Sequence, residues 1–124
     1  VVSGTTGWDA ERALVETFVR NSTGALLWAP NFALGVHLFA KVVEEAARRF
    51  ASDRAGFDAH LIETHHSKKL DAPSGTARML AMVAERAQGK AMPVTSVRTG
   101  HVPGTHELVF DAAFQQVRLV HEAR

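Results

Sequence analysis

The sequence contains no cysteine, which excludes disulfides, thiolate catalysis and cysteine-rich zinc sites and is compatible with a reducing, cytoplasmic location. No run approaches the ~20 apolar residues of a membrane span, and the first residues lack a basic-then-apolar signal pattern. The formal net charge of +1 is too small for the dense basic face of a nucleic-acid-binding domain. We therefore expect neither a membrane partner nor a nucleic-acid partner.

The length of 124 residues, 46% of them hydrophobic, suits one domain with a core, plus at most the remnant of a second. Residues 1–3 predict the end of a strand, residues 8–20 a helix with Ala10, Leu14 and Phe18 at helical spacing, and residues 25–29 a wholly apolar strand. Strand, helix and strand in this order imply a parallel crossover.

The rest of the chain predicts two helices and four strands. Helical spacing indicates helices at residues 33–51 and 74–88, the second ending at Gly89. In the first helix, one apolar stripe is expected from Leu34, Leu38, Val42, Ala46 and Phe50. Short apolar runs predict strands at 57–64, 94–98, 106–110 and 115–120, with a turn at 53–56. In the last strand, Val117 and Leu119 alternate with Arg118 and Val120, which indicates one better-covered face.

The stretch from His65 to Thr76 holds most of the chemistry. Two imidazoles and two ammonium groups would repel one another, and the only nearby acidic residues are Glu63 and Asp71. Pro73-Ser74-Gly75-Thr76 opens a helix, where free N–H groups and the helix dipole favour an anion. The sequence therefore predicts a carboxylate or phosphate site with proton-transfer groups beside it, or an ordinary basic loop capped by a helix.

The segment Glu63-Thr64-His65-His66-x-x-Lys69-x-Asp71-Ala72-Pro73-Ser74-Gly75-Thr76-Ala77 resembles the signature of the dihydrodipicolinate reductases. The resemblance implies reduction of 4-hydroxy-tetrahydrodipicolinate to tetrahydrodipicolinate by NADPH or NADH, in lysine (diaminopimelate) biosynthesis. It implies that His65 and Lys69 are the catalytic acid groups. It also implies that the positions of His66, Gly75 and Thr76 hold the substrate, a cyclic dicarboxylate. Ser74 joins these substrate-binding candidates as a hydroxyl donor at the helix start.

The same resemblance extends to the organisation of the chain. We expect an α+β fold, with a mixed four-stranded sheet and packing helices in a substrate-binding, catalytic and oligomerisation domain at 33–124. A βαβ remnant of a Rossmann-type domain is expected at 1–32. The family forms tetramers through the sheet, which implies a homo-oligomer here. Five apolar residues on the last three strands are expected to exceed what the helices cover: Val97, Val109, Phe110, Val117 and Leu119.

Two loops that follow the first two strands are candidate cofactor loops. A Gly-x-x-Gly turn is usually only a turn, but the resemblance implies that these loops hold the nicotinamide end of NAD(P)H. The candidates are Gly4, Thr5, Thr6, Ala29, Pro30, Asn31 and Phe32. The family's Gly-x-Gly-x-x-Gly fingerprint is absent, so we expect a truncated form that is inactive or weakly active alone. Such a form would bind dicarboxylate but bind nicotinamide cofactor poorly.

Two alternatives use the same residues. Seven histidines suggest a metal site, with ligands from His60, His65, His66, His101, His106 and Glu63. Without cysteine or a His-Glu-x-x-His helix we expect no metal, and we expect His37 and His121 to be ordinary packed or surface residues. A non-catalytic dicarboxylate-binding, anion-binding or oligomerisation domain would use Ser74, Gly75 and Thr76. It gives no reason for His65 and Lys69 to stand together.

Overall fold

A computed structural model describes residues 1–51 and 56–124 and divides the chain into two compact units, Val1–Ala33 and Leu34–Arg124. The expected turn at 53–56 falls outside the described residues, apart from Gly56. Across the described ranges, no helix is both long enough and apolar enough to cross a membrane.

The first unit contains β1 (Val2–Ser3), α1 (Arg12–Arg20) and β2 (Leu27–Trp28). The two strands pair in parallel, as the order of elements predicted. Helix α1 begins later than expected because the preceding residues form turns, in which the Glu11 N–H donates to the Trp8 carbonyl at 3.0 Å. Leu14 and Phe18 are exposed on this helix. Two short strands and one helix do not by themselves establish a Rossmann-type fold.

The second unit contains two helices, α2 (Leu34–Phe50) and α3 (Gly75–Gln88), and four strands. The strands are β3 (Asp58–His65), β4 (Val94–Arg98), β5 (Thr105–Ala112) and β6 (Gln115–Glu122). They form one sheet in the order β4-β3-β5-β6, in which β3 and β4 are parallel and the other neighbours antiparallel. The expected α+β fold with a mixed four-stranded sheet is therefore confirmed.

The core of this unit lies where the helices cover one face of the sheet. Core side chains that are at most 1% exposed come from both helices and from β3 and β5: Val43, Ala47, Leu61, Ala77, Leu80, Ala84, Leu108 and Phe110. Full burial of a Leu or Phe side chain contributes about 1.5–3 kcal/mol. This apolar face anchors the strands that carry the polar residues described below.

The expected apolar stripe of α2 is wrong at its first three positions. Leu34, Leu38 and Val42 are each more than half exposed, whereas the helix buries Val36, Ala40, Val43 and Ala47. The buried set follows the 3.6-residue period more closely than a strict spacing of four. Its alanines also allow close packing, since α3 in turn buries Ala77, Ala81 and Ala84.

The two faces of the sheet differ in burial, as the alternation in the sequence of β6 predicted. The outer face is less apolar than expected. Val117 and Leu119 pack against the core, while Arg118 and Val120 are exposed. Phe110 also belongs to the core, and Val109 is 0% exposed. Of the five residues expected to carry uncovered apolar surface, Val97 alone is exposed, at 38%.

Candidate active site

Strand β3 carries two ionisable residues on its buried face. The strand alternates between buried and half-exposed positions, and its buried side runs through Ala59 and Leu61 to Glu63 and His65. Glu63 is 0% exposed and His65 is 7% exposed. Because alternate residues of a strand share one face, the apolar core side of β3 ends in an acid and an imidazole.

Both oxygens of the Glu63 carboxylate accept hydrogen bonds. One oxygen contacts Nδ1 of His65, and the other lies 2.6 Å from Nη2 of Arg98 at the end of β4. The parallel pairing of β3 with β4 sets His65 opposite Arg98 and Glu63 opposite Ser96. Arg98 also donates to the Asp71 carbonyl at 2.5 Å and to the Val97 carbonyl at 2.7 Å. One guanidinium thus joins β3, β4 and the loop after β3.

These contacts shift the pKa values of both residues. Burial raises the pKa of Glu63, but hydrogen bonds from Arg98, Ser96 and His65 outweigh it, and the pKa lies below its ordinary value. Burial lowers the pKa of His65, and the neighbouring Glu63 carboxylate only partly offsets this effect. The pair is therefore an ionised carboxylate beside an imidazole that is mainly neutral at neutral pH.

A second imidazole, His106 on β5, stands beside the first. The antiparallel register sets His106 opposite Glu63, and its ring centroid lies 5.3 Å from that of His65. Burial, followed by the positive charge of protonated His65, lowers the pKa of His106 to about 4. Its Nε2 lies 3.3 Å from Oγ of Ser74. On the neighbouring strand, half-buried His121 lies between His106 and Phe39.

Ser74 is the N-cap of α3, and Gly89 ends that helix in a left-handed conformation, as the sequence predicted. The Ser74 hydroxyl accepts a hydrogen bond from the Ala77 N–H at 3.1 Å and contacts His106. The residue is only 2% exposed. Ser74 is therefore a helix cap whose hydroxyl also contacts His106, and its expected contact with a ligand stays a prediction.

The loop between β3 and α3 places a lysine and a carboxylate at the start of the helix. Nζ of Lys69 lies 2.7 Å from Oδ1 of Asp71. Burial raises the pKa of Asp71, but Lys69 and the backbone N–H groups of Asp71 and Gly75 outweigh it, so the pKa is lowered. Within the described part of the chain, Oδ2 of Asp71 is buried and makes no hydrogen bond. An internal carboxylate therefore stands in the expected anion site.

Backbone contacts hold the loop in place. The His65 carbonyl accepts from the Thr99 N–H at 2.9 Å, and the Ser67 N–H donates to the Gly100 carbonyl at 3.2 Å. The Lys69 N–H donates to the carbonyl of half-buried His66 at 3.1 Å. Thr76, in the first turn of α3, is 8% exposed. These bonds fix the loop that carries Lys69 to the one that follows β4.

The backbone at Gly104 packs closely against His65. A Cβ at position 104 would lie 2.9 Å from Nε2 of His65, closer than real Cβ atoms come. The φ of +156° at this residue also disfavours a side chain. A residue with a side chain at this position would therefore displace the imidazole of His65.

The structure brings together His65, Lys69 and the start of α3, and it adds three residues whose roles the sequence did not reveal. Glu63 had a local signal, since an acid and a histidine two residues apart in a strand share a face. Arg98 and His106 had none, because their approach depends on which strands pair and in which register. Asp71 was recognised only as a nearby negative charge.

One cluster in the described ranges has the composition of a metal site. Ligand atoms of Glu63, His65 and His106 lie within 4.8 Å of one another, whereas His60, His66 and His101 are not in that cluster. Both carboxylate oxygens of Glu63 already accept hydrogen bonds, one from the Arg98 cation. We therefore interpret the cluster as a hydrogen-bonded network.

In the first unit, the two candidate cofactor loops lie next to each other. A Cβ on Gly4 would lie 3.9 Å from both the Ala29 carbonyl and the Phe32 ring, which is ordinary van der Waals contact. The indole N–H groups of Trp8 and Trp28 both donate to the Thr5 carbonyl at 2.7 Å. The ring of Phe32 is 48% exposed.

The family described as dihydrodipicolinate reductase, C-terminus, matches residues 35–124. The chain belongs to the dihydrodipicolinate reductase family. It is similar to the 4-hydroxy-tetrahydrodipicolinate reductase of Stenotrophomonas maltophilia, with 40% identity over 125 residues, covering 99% of this chain and 49% of that protein. The enzyme of the same name from Methanosarcina mazei is 34% identical over 139 residues, covering 99% of this chain and 51% of that protein.

A solved structure of this family has a similar fold. The dipicolinate-bound dihydrodipicolinate reductase from a Paenisporosarcina species matches with a TM-score of 0.68 and 28% identity. The match covers 99% of this chain and 52% of that one. The chain thus spans about half the length of the curated relatives it matches.

Proposed function

We propose that the protein catalyses the NAD(P)H-dependent reduction of 4-hydroxy-tetrahydrodipicolinate to tetrahydrodipicolinate, a step of lysine (diaminopimelate) biosynthesis. The observation that carries the proposal is the loop from His65 to Thr76, which places an imidazole, an ammonium group and a helix N-terminus close together. Relatives that cover the whole chain bear the name of this reductase. The proposal concerns a protein of the relatives' full length, about half of which this chain spans.

The residues of the loop suggest a division of labour. Lys69 stabilises or protonates the ring nitrogen, and His65 serves as proton donor or acceptor. His66, Gly75 and Thr76 hold the carboxylates, since a helix N-terminus favours anions. The solved relative whose name states that dipicolinate is bound supports a planar dicarboxylate as ligand. In the free chain, the Asp71 carboxylate already pairs with Lys69, so the substrate competes with it.

The cofactor belongs to the first unit. We propose that Gly4, Thr5 and Thr6, with residues 29–32, hold the nicotinamide end of NADPH or NADH, and the proximity of Gly4 to Ala29 and Phe32, which brings the two loops together, supports this assignment. The reduced nicotinamide supplies the hydride. The backbone around Thr5 positions the nicotinamide ring, and the indole N–H groups of Trp8 and Trp28 orient that backbone.

An assay of NAD(P)H consumption with freshly generated substrate tests the proposal in the complete protein. His65→Ala and Lys69→Ala should each lower kcat by about 10² or more with little change in the unfolding midpoint. Lys68→Ala is the matched control, because this exposed neighbour should leave kcat unchanged. Near-normal kcat for His65→Ala or Lys69→Ala would contradict the assignment. Dicarboxylate binding without turnover would favour the non-catalytic binding domain.

We also propose that the protein is a homo-oligomer associating through the outer face of the sheet. Val97 and Val120 are exposed there, and Arg118 pairs with Glu107 at 2.6 Å on the same face. Helices α2 and α3 pack against the opposite face, which carries the core. Light scattering at high micromolar concentration should show an oligomer that Val120→Glu disrupts. A stable monomer would refute this proposal.

A further inference from the structure

Glu63 is the most deeply buried ionised group next to the loop, and its two oxygens serve different partners. Nδ1 of His65 contacts one oxygen, and Nη2 of Arg98 lies 2.6 Å from the other. Burying a carboxylate is costly unless it is paired and hydrogen-bonded. The two donors and the Arg98 charge meet that requirement.

Only a carboxylate can make both contacts. Arg98 is always a donor, and an imidazole nitrogen that faces an ionised carboxylate must carry its proton. A glutamine offers one acceptor oxygen and one donor amide, so it could accept from Arg98 or from His65 but not from both. Residue 63 must therefore be a carboxylate both to accept the Nδ1–H of His65 and to pair with Arg98.

This contact decides which nitrogen of His65 is free to exchange protons. With Nδ1–H directed at Glu63, Nε2 is the acceptor of the neutral imidazole. Nε2 lies beside the backbone of Gly104, where a Cβ would come within 2.9 Å of it. The nitrogen left to exchange protons is thus Nε2, which does not contact Glu63.

Charged and titratable groups approach His65 from every neighbouring element. Lys69 lies in the following loop, Arg98 on β4 and His106 on β5, with His121 behind His106 on β6. Each of these is a cation or becomes one on protonation. Glu63 is the acidic residue among the groups that shift the pKa of His65.

We infer that Glu63, clamped by Arg98, is a positioning residue that holds His65 with Nδ1–H directed inward and Nε2 as its proton-exchanging atom. This role rests on the proposed reductase function for its catalytic meaning. The hydrogen-bonded arrangement does not rest on that function, because it can be observed without substrate.

The first test measures the tautomer directly. Long-range ¹H–¹⁵N spectra of histidine side chains, with the His65 signals assigned by their loss in His65→Asn, should show Nδ1 protonated and Nε2 unprotonated at neutral pH. An Nε2–H tautomer in the unsubstituted protein would overturn the inference, whatever the substrate proves to be. In Glu63→Gln the pKa of His65 should fall and the Nε2–H form should appear.

The second test separates positioning from folding. Glu107→Gln is the control, because Glu107 is an ion-paired carboxylate on the neighbouring strand but faces away from His65. If Glu63→Gln does not fold, Glu63→Asp replaces it, because the shorter carboxylate should also lower the pKa of His65. An unchanged pKa of His65 in the folded variant, or an equal change in Glu107→Gln, would overturn the inference.

Turnover in the complete protein gives an independent measurement. Glu63→Gln should lower kcat about tenfold or more and move the pH limb of kcat that reports His65 to lower pH. In a His65→Ala background the same substitution should cost almost nothing, because Glu63 acts through His65. Additive losses would overturn the inference. Absence of reductase turnover in the unsubstituted protein would refute the proposed function and leave the tautomer result standing.

Discussion

Nη2 of Arg98 lies 2.6 Å from the fully buried carboxylate of Glu63, although the two residues belong to different strands. The same nitrogen donates to the carbonyl of Asp71 at 2.5 Å. Arg98 therefore joins the strand that carries His65 to the loop that carries Lys69, and its removal should affect both.

Arg98→Met should destabilise the protein by about 3 kcal/mol, because it leaves the Glu63 charge buried without its partner. Urea unfolding at neutral pH measures the change. The matched control is Arg118→Met, which breaks an ion pair of similar length with a more exposed arginine and should cost at most about 1 kcal/mol. Equal losses in the two variants would show that Arg98 adds nothing beyond a surface pair.

Asp71→Asn should tighten binding of a dicarboxylate. The Asp71 carboxylate pairs with Lys69 and draws on the Gly75 N–H, both of which are proposed to serve the ligand. Neutralising it removes a competing charge worth roughly 0.5–1 kcal/mol, which corresponds to about a two- to fivefold lower Kd. Asp58→Asn is the control, since its carboxylate is exposed and pairs with Lys90 instead. Weaker binding in Asp71→Asn would mean that this carboxylate orients Lys69 for the ligand.

Gly104→Ala should abolish most turnover, because its methyl group would lie 2.9 Å from Nε2 of His65 and displace the imidazole. Gly100→Ala is an informative control from the same loop. Gly100 also has a positive φ, +51°, but nothing lies within 4 Å of its Cβ position. Both variants introduce backbone strain, and only the first obstructs His65. If the two lower kcat equally at matched stability, the close approach of residue 104 to Nε2 has no functional role.

Stability should fall in mild acid because of the buried histidines. The folded-state pKa of His106 is lowered from 6.5 to about 4, so the unfolded chain binds a proton in this interval that the folded chain does not. Stability is therefore fully present above pH 6.5 and is lost as the pH falls towards 4, by at most roughly 3 kcal/mol. The lowered pKa of His65 acts in the same direction.

Urea unfolding between pH 7 and pH 4.5 measures this dependence. His106→Gln keeps a side chain that can bond to Ser74 but removes the titrating group, so its stability should vary less with pH. His101→Gln replaces an exposed histidine in the adjacent loop and should behave like the unsubstituted protein. An unchanged pH dependence in His106→Gln would show that another group is responsible.

The sequence predicted the elements well where local signals were strong. The start of a helix near Ser74, the glycine end at Gly89 and the alternation in β6 were all visible locally, and the elements lie within a few residues of their expected places. The exception is the start of α1. There Trp8 bonds to the Thr5 carbonyl and a turn replaces the first helical residues.

Packing direction was harder to predict. Helix α2 carries apolar residues on more than one side, so periodicity alone offered two stripes, and the larger leucines were the wrong choice. Close approach to α3 favours the alanines. The residues that lie next to Glu63 were equally hard to predict, because strand register alone brings Arg98 and His106 close to it.

A calorimetric titration of the 124-residue chain with pyridine-2,6-dicarboxylate tests the central claim most directly, because it needs neither cofactor nor turnover. We expect saturable binding at one site per chain, weakened about tenfold or more in Lys69→Ala, because a cation facing a ligand carboxylate is lost. Lys68→Ala should bind as the unsubstituted chain does. Absence of saturable heat, or equal affinity in Lys69→Ala and the unsubstituted chain, would contradict the assignment of the loop from His65 to Thr76 as a dicarboxylate site.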